Sequence, residues 1–376
     1  MIMPRGLLAA LCCLSVLSLV SGCARLPTVF EYRSVESGEF ERVWPDAPET
    51  ARYRYVGELT GEDNFPRPGA QTLNVGTRFL RWLVGLVGHG EQPIILQRPQ
   101  AVASNSQGRI FVSDVSRQAV YVFDTAQAEL LVWEYAAADV RFELPIGLAP
   151  TADGGVWVAD ASLGVVTRLG ADGEPLDYFG LDQLQHPTGL AWDASRQRLY
   201  VADRGANNIK VYDAAGGLQF EFSEFGEADG QLNGPTYLFW RDDQLYVTDT
   251  LNSRIQVFSP QGEYLSGFGR RGLYLGDLPR PKGVAVSQDG KIYVVESYYD
   301  YLLIFNRKGE LLLPIGGTGH QVGQFYLPAG VWVDNNYVYV ADTFNGRVMI
   351  FEYLGEGDAS DVAGDSSSDI DDAAGG

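Results

Sequence analysis

Residues 98–354 repeat one pattern six times, and a chain that does so must fold as a set of small, similar units packed on one another. The anchor is an alternating apolar strand ending in an acid: Asp114, Asp160, Asp203, Asp249, Glu296 and Asp342, separated by 46, 43, 46, 47 and 46 residues. Each acid follows a proline, Pro99, Pro145, Pro187, Pro235, Pro281 or Pro328, by 14 to 16 residues. One unit reads as four short strands: Pro281-Lys282-Gly283-Val284-Ala285-Val286, then 291–295, 301–305 and 310–315. The turns Gln288-Asp289-Gly290 and Arg307-Lys308-Gly309 supply glycines for tight hairpins.

A lone four-stranded meander cannot bury both faces, so the units must stack radially. The expected fold is all-β, a six-bladed β-propeller of four-stranded antiparallel blades. The sixth unit runs out after three strands, near Glu352-Tyr353-Leu354, and Arg52-Tyr53-Arg54-Tyr55-Val56-Gly57-Glu58-Leu59 alternates like an outer strand. This N-terminal strand is expected to complete the last blade and remove the free edges. The propeller is thus bounded at 52–354.

The repeat resembles that of the NHL family of six-bladed propellers. The family's linker pattern stands almost whole at Gly323-Gln324-Phe325-Tyr326-Leu327-Pro328-Ala329-Gly330 and again at Gly230-Gln231-Leu232-Asn233-Gly234-Pro235. Its hairpin pattern stands at Val340-Ala341-Asp342-Thr343-Phe344-Asn345-Gly346-Arg347-Val348, with a close copy at Val247-Thr248-Asp249-Thr250-Leu251-Asn252-Ser253-Arg254-Ile255. The resemblance covers about two thirds of the chain. It implies the fold and not one function, because this repeat serves binding modules and enzymes alike.

Before the repeats, Arg5 precedes an apolar stretch, 6–20, of the length of a secretory signal and too short to span a bilayer. The following Val20-Ser21-Gly22-Cys23 resembles the lipobox of bacterial lipoproteins, which implies a signal peptide over 1–22 and a lipidated Cys23 heading a tether over 23–51. Cys12 and Cys13 fall in the signal, so no disulfide is available to the mature chain. Ala24, where inner-membrane retention in enterobacterial lipoproteins uses aspartate, implies the outer membrane, facing the periplasm of a Gram-negative envelope. Within an insertion at about 62–97, residues 77–88 read as a short amphipathic helix capped by Thr77 and ended by Gly88, either a lid or a membrane-surface helix. The tail, 355–376, has seven acids and no base and is expected to be disordered.

The chain carries 48 acidic against 28 basic residues, a net charge of −20, and outside the tail and Arg5 still 41 against 27. That field repels nucleic acid, although Arg204, Arg280 and Lys282 could cluster locally. The six repeated acids read as structural, bonding backbone N–H groups in the hairpin loops and pairing with following bases, as Asp249 with Arg254 and Asp342 with Arg347. No cofactor is expected. The three histidines, His89, His186 and His320, lie in or beside linkers. A loose similarity of His186 to a position in the peptidyl-hydroxyglycine lyases, and a comparison with calcium-carrying lactonase-like propellers, leave zinc or calcium as alternatives. The residues after the repeated prolines, Gln100, Ile146, Thr188, Thr236, Lys282 and Ala329, are poor in carboxylates, and Asn233, Asn252 and Asn345 are the remaining oxygen donors. With Cys23 committed to lipid and no nucleophile elbow or phosphate loop present, nucleophilic catalysis has no candidate.

The varied loops between second and third strands are the expected working surface, with Arg117, Arg204, Asn252, Tyr298, Tyr299 and Phe344 as candidate contacts. The expectation is a lipid-anchored envelope protein, tethered to the membrane through Cys23, whose propeller binds a protein or polysaccharide without catalysis. The alternative is a metal-dependent lyase or lactonase-like enzyme acting at the mouth of the central channel.

Overall fold

Each repeat forms an antiparallel four-stranded sheet, and six such sheets surround a central axis in the computed structural model. The structure describes residues 29–32, 42–66 and 94–355. The 1–22 leader, Cys23, the 77–88 segment, His89 and the tail beyond 355 lie outside them. The innermost strands are Pro99–Ser104, Pro145–Pro150, Pro187–Asp193, Pro235–Arg241, Pro281–Val286 and Val331–Asp334, in blades 1 to 6. Second and third strands read almost wholly buried, as in Ala119–Asp124 and Ile292–Glu296, because they are covered by blades on both sides. The outermost strands alternate or face water, as in Pro175–Phe179.

The blades interlock by a device the sequence carries but periodicity alone does not announce. The last residue of the fourth strand is aromatic in blades 1 to 4: Trp133, Phe179, Phe222 and Phe268. Each packs on the hairpin glycine of the next blade, Gly173, Gly216, Gly262 or Gly309. A Cβ at any of these glycines would stand 2.4 to 2.8 Å from the aromatic side chain, and all four have positive φ.

The ring closes where the sequence placed the closure. Tyr53–Leu59 pairs with Arg347–Tyr353 as the outer strand of blade 6. Inside the seam Arg347 donates to Glu58 at 3.0 Å, both side chains being buried, and the Tyr53 and Tyr293 hydroxyls meet at 2.9 Å. The propeller also begins earlier than the alternation indicated: Val43–Trp44, within the expected tether, adds a fifth strand beside Tyr53–Leu59. Trp44 is buried against Phe351. A second addition is a small hairpin, Tyr135–Ala137 with Val140–Arg141, in the linker between blades 1 and 2. Both are strands of two or three residues, too short to show a period.

Candidate functional site

The zigzag of each blade puts second-to-third loops and interblade linkers on one face of the disc, and the remaining hairpins on the other. The repeated acids hold the first face rigid. Asp114 accepts the backbone N–H groups of Gln97 and Arg98 in its linker and of Ser116 and Arg117 in its loop, at 2.6 to 3.0 Å. Asp160 does the same with Glu143, Leu144, Ser162 and Leu163. Asp203 binds the N–H groups of Gln185 and His186 and the Lys210 ammonium. Burial opposes its ionisation, yet Lys210 and those N–H groups hold it below the ordinary carboxylate range. Glu296 takes the N–H groups of Arg280, Tyr298 and Tyr299, and burial pushes its carboxyl up.

Blades 4 and 6 use one further latch twice. Asp249 accepts from Asn252 and from Arg254 Nε, and Asp342 accepts from Asn345 and from Arg347 Nε. The far side of each guanidinium donates to linker carbonyls, those of Ala228 and Gln231 for Arg254 and those of Gln321 and Gln324 for Arg347. The amide nitrogen of Asn252 is committed, to Asp249 and to the Gly226 carbonyl at 2.8 Å, so it contributes rigidity to the face.

The other candidate contacts distribute around the face. Tyr298 on blade 5 is 61% exposed and meets the half-buried Tyr299 edge-on at 4.8 Å. Phe344 on blade 6, 47% exposed, packs on Tyr326 and lies under the Arg98 guanidinium at 4.9 Å. Arg117 on blade 1 is half-buried, with Nε directed at the Ile95 carbonyl. Arg204 on blade 3 is exposed.

The most exposed apolar side chains were not among those candidates. Three linkers share one frame: Gly226-Glu227-Ala228-Asp229-Gly230-Gln231-Leu232, Gly272-Leu273-Tyr274-Leu275-Gly276-Asp277-Leu278 and Gly319-His320-Gln321-Val322-Gly323-Gln324-Phe325. In each the sixth residue donates its N–H to the carbonyl of the third or to its equivalent in the turn, and its side chain folds against the first glycine. The seventh is buried. The tip lies at the surface, although Val322 packs back against the core, and in the linker to blade 5 the tip residues are Leu273, Tyr274 and Leu275, exposed by 81%, 78% and 57%. Asp277 pins this loop, accepting from Arg270 Nε at 2.7 Å and from the Tyr274 N–H at 2.9 Å. Aligning the three linkers would have shown the wholly apolar triplet standing where its counterparts are Glu227-Ala228-Asp229 and His320-Gln321-Val322.

One side chain crosses the channel. Where blades 2, 3, 5 and 6 have Gly147, Gly189, Gly283 and Gly330, blade 4 has Tyr237, which is buried and donates its hydroxyl across the axis to the Gln100 carbonyl on opposite blade 1. The glycines are required because a Cβ there would strike the neighbouring inner strand, at 1.9 Å from the Thr188 carbonyl in the case of Gly147. Burial pushes the Tyr237 phenol up.

Above this plug, Lys282 is half-buried on the first turn of the blade 5 inner strand. Burial pushes its ammonium down to about 8, and Arg280 and Arg204 push in the same direction. His186 is likewise lowered, by burial and then by Arg204, with Asp203 opposing. His186 and His320 stand on the linkers into blades 3 and 6, on opposite sides of the ring, so they cannot share one ion. Among the described residues no group of three His, Cys, Asp or Glu side chains converges as a metal site. A side cavity of about 560 Å³ lies at the closing seam, lined by Tyr53, Lys291, Leu312 and Tyr353 among others.

Comparison with known proteins agrees with this architecture. A family model described as a 6-bladed beta-propeller matches residues 280–357. The chain is similar to NHL repeat-containing protein 2 of Bos taurus, 29% identical over 166 residues, which is 34% of this chain and 22% of that protein. It is similar to Protein brain tumor of Drosophila melanogaster, 29% identical over 111 residues, 29% of this chain and 10% of that one. The chain thus spans 22% or less of the length of the curated relatives it matches. Among solved structures, virginiamycin B lyase from Staphylococcus aureus superposes with a TM-score of 0.50 at 12% identity, over 68% of this chain and 95% of that one. At that identity the likeness concerns the fold.

Proposed function

Starting from a six-bladed propeller of NHL-type blades, we propose that this chain is a membrane-tethered, non-catalytic platform for a protein partner. The observation that carries the reading is the Leu273-Tyr274-Leu275 tip, three large apolar side chains held in water by a loop that Asp277 makes rigid. Exposed tyrosines backed by a fixed main chain are what interface anchors require, since little conformational freedom is lost when they are covered. Leucines on both sides of Tyr274 favour a dry protein contact over the polar surface of a polysaccharide. Tyr298 and Phe344 extend the apolar character over blades 5 and 6 on the same face. The tether rests on the Cys23 motif, and the outer membrane, facing the periplasm, is the compartment that Ala24 favours.

Crosslinking in intact cells followed by purification is expected to recover one reproducible protein adduct. The adduct should be lost in the Leu273→Ser, Tyr274→Ser, Leu275→Ser triple variant and weakened in Tyr298→Ala, Phe344→Ala, with unfolding midpoints unchanged. Equal recovery from the triple variant would refute the tip as the contact, and an adduct rich in sugar would transfer the reading to polysaccharide. For the tether, Cys23→Ser is expected to abolish labelling by radioactive palmitate and release the protein from membranes. Retention of the unlabelled variant would sink the lipid anchor.

A further inference from the structure

We infer that the platform's partner presents an acidic segment carrying one large apolar side chain, and that this side chain seats in a socket beside the Leu273-Tyr274-Leu275 tip. The inference rests on the platform reading and names the partner chemistry which that reading leaves open.

The socket is a cavity of about 340 Å³ at the outer seam between blades 4 and 5. It is lined by Phe268, Phe305, Leu311, Leu275 and Gly276, with the Arg270 and Asp277 ion pair beside them. The Phe268 and Phe305 rings lie 5.1 Å apart. Its volume stands near the bottom of the range of ligand pockets, about 300–1,000 Å³, which suits one leucine or aromatic side chain. Leu275 belongs to both tip and socket, so a partner that covers the tip reaches the hole as well.

Comparison of the three linkers of common frame explains why the hole is here. The fifth residue of each is a glycine at positive φ: Gly230, Gly276 and Gly323. A Cβ on Gly230 would meet Tyr264 at 3.5 Å and one on Gly323 would meet Trp44 at 2.2 Å, whereas Gly276 faces Leu311, at 3.3 Å. A leucine covers less of the linker's underside than a phenol or an indole, and Gly276 adds no side chain of its own. The loop above cannot collapse into the space, because Asp277 holds Arg270 and the Tyr274 N–H while the Leu278 N–H donates to the Arg270 carbonyl at 2.9 Å. An apolar hole kept open beside exposed apolar side chains is the arrangement in which an inserted anchor contributes most to binding.

Charge decides what flanks the anchor. The Arg270 side chain is 76% exposed and that of Asp277, 2.7 Å away, is 4% exposed, so the pair turns its positive end to solvent. Arg271, also exposed, donates to the Leu251 carbonyl at 3.2 Å, a neutral group that offsets none of its charge. Lys308 adjoins Gly309 on the socket wall and is offset by Glu310, exposed on the same hairpin. Two guanidinium groups therefore set the sign of this rim, in a chain whose net charge is −20. A short acidic segment feels chiefly the charges within a Debye length of about 8 Å, whereas an extended polyanion meets the acidic disc along its length. A second copy of the chain would set Arg270 and Arg271 against a rim of the same sign, which disfavours self-association here.

The test is fluorescence anisotropy of the full chain with three labelled peptides of equal length. One carries a phenylalanine between pairs of acidic residues, one the same anchor between pairs of lysines, and one the acidic frame with glycine in the anchor's place. Saturable binding of the first is expected, weakened by added salt, with the other two weaker by roughly tenfold or more, as loss of a buried aromatic side chain implies. Leu311→Trp, which fills the socket and leaves the tip untouched, and Arg271→Glu should each lower affinity roughly tenfold, while Leu176→Ser on the outer strand of blade 2 should not. On the unmutated protein the bound peptide should slow hydrogen exchange across 270–278. No saturable binding, equal binding of the lysine or glycine peptide, or affinity unchanged in both Leu311→Trp and Arg271→Glu would overturn the inference. Sedimentation showing a dimer that Leu311→Trp disperses would assign the socket to a second copy and overturn it too. An in-cell adduct still lost in the triple tip variant, with no peptide bound, would leave the platform standing and remove the acidic anchor alone.

Discussion

Replacing Lys282 by methionine should make the protein more stable at neutral pH, and the gain should fade in alkali. Met matches the length of the lysine stem and removes only the charge. An ammonium that titrates near 8 in the folded chain and at 10.5 when free is protonated in both states at pH 7. Keeping it charged inside the fold then costs about 3 kcal/mol. The sign follows from proton counting. Between 8 and 10.5 the unfolded chain holds the proton and the folded chain has shed it, so wild-type stability rises with pH through that window. Methionine has no such dependence. The variant should therefore exceed wild type by about 3 kcal/mol at pH 7, by about 1.5 kcal/mol at pH 9.5, and by little above 10.5. Urea unfolding of both proteins at pH 6, 7 and 9.5, in buffers free of phosphate and carboxylates, measures the difference directly. A variant no more stable than wild type at pH 7, or a gain constant with pH, would refute an unpaired, desolvated ammonium at this position.

Arg347→Met should be the more damaging of two superficially equal changes, because it strands Glu58 in the closing seam, while Asp342 keeps Asn345 and the Tyr326 N–H. About 3–5 kcal/mol of destabilisation is expected, against about 1–3 kcal/mol for Arg254→Met, whose Asp249 keeps Asn252 and Gln256; equal thermal shifts would show that Glu58 plays no part in closure. Tyr237→Phe should cost about 1 kcal/mol in urea titration by deleting the cross-channel bond to Gln100, and no loss would mean the plug is held by packing alone. Gly309→Ala should cost roughly 2–4 kcal/mol, since alanine would take a positive φ and press on Phe268; a near-neutral result would show that the interblade seam yields.

Much of the fold was legible because each blade repeats its own local code. Alternation gave the strands, prolines and acids gave the phase, and the three-strand sixth unit with 52–59 gave the closure now seen as Tyr53–Leu59 against Arg347–Tyr353. Shorter features escaped. Val43–Trp44 and the Tyr135–Ala137 hairpin have too few residues to display a period. In the candidate face, Tyr298 and Phe344 stand exposed as a varied loop would place them, while Asn252 turned inward to a carbonyl that lies 26 residues away in sequence. The Leu273-Tyr274-Leu275 tip was written in the sequence and visible only by comparing linkers, which are less regular than strands.

The sequence by itself determined the number of blades, their order and the acids that bind loop to linker, because these depend on contacts within one repeat. Tertiary structure decided what the repeats do together. Tyr237 stands in a glycine's place within its own blade, and only the ring brings it to Gln100 on the far side. Lys282, Arg204 and Arg280 come from two blades and a linker, so their mutual repulsion exists only once those elements share a channel mouth. Charge and steric fit act through space at a few ångströms, and residues 76 or 78 positions apart in the chain are placed at that range by the closed ring alone.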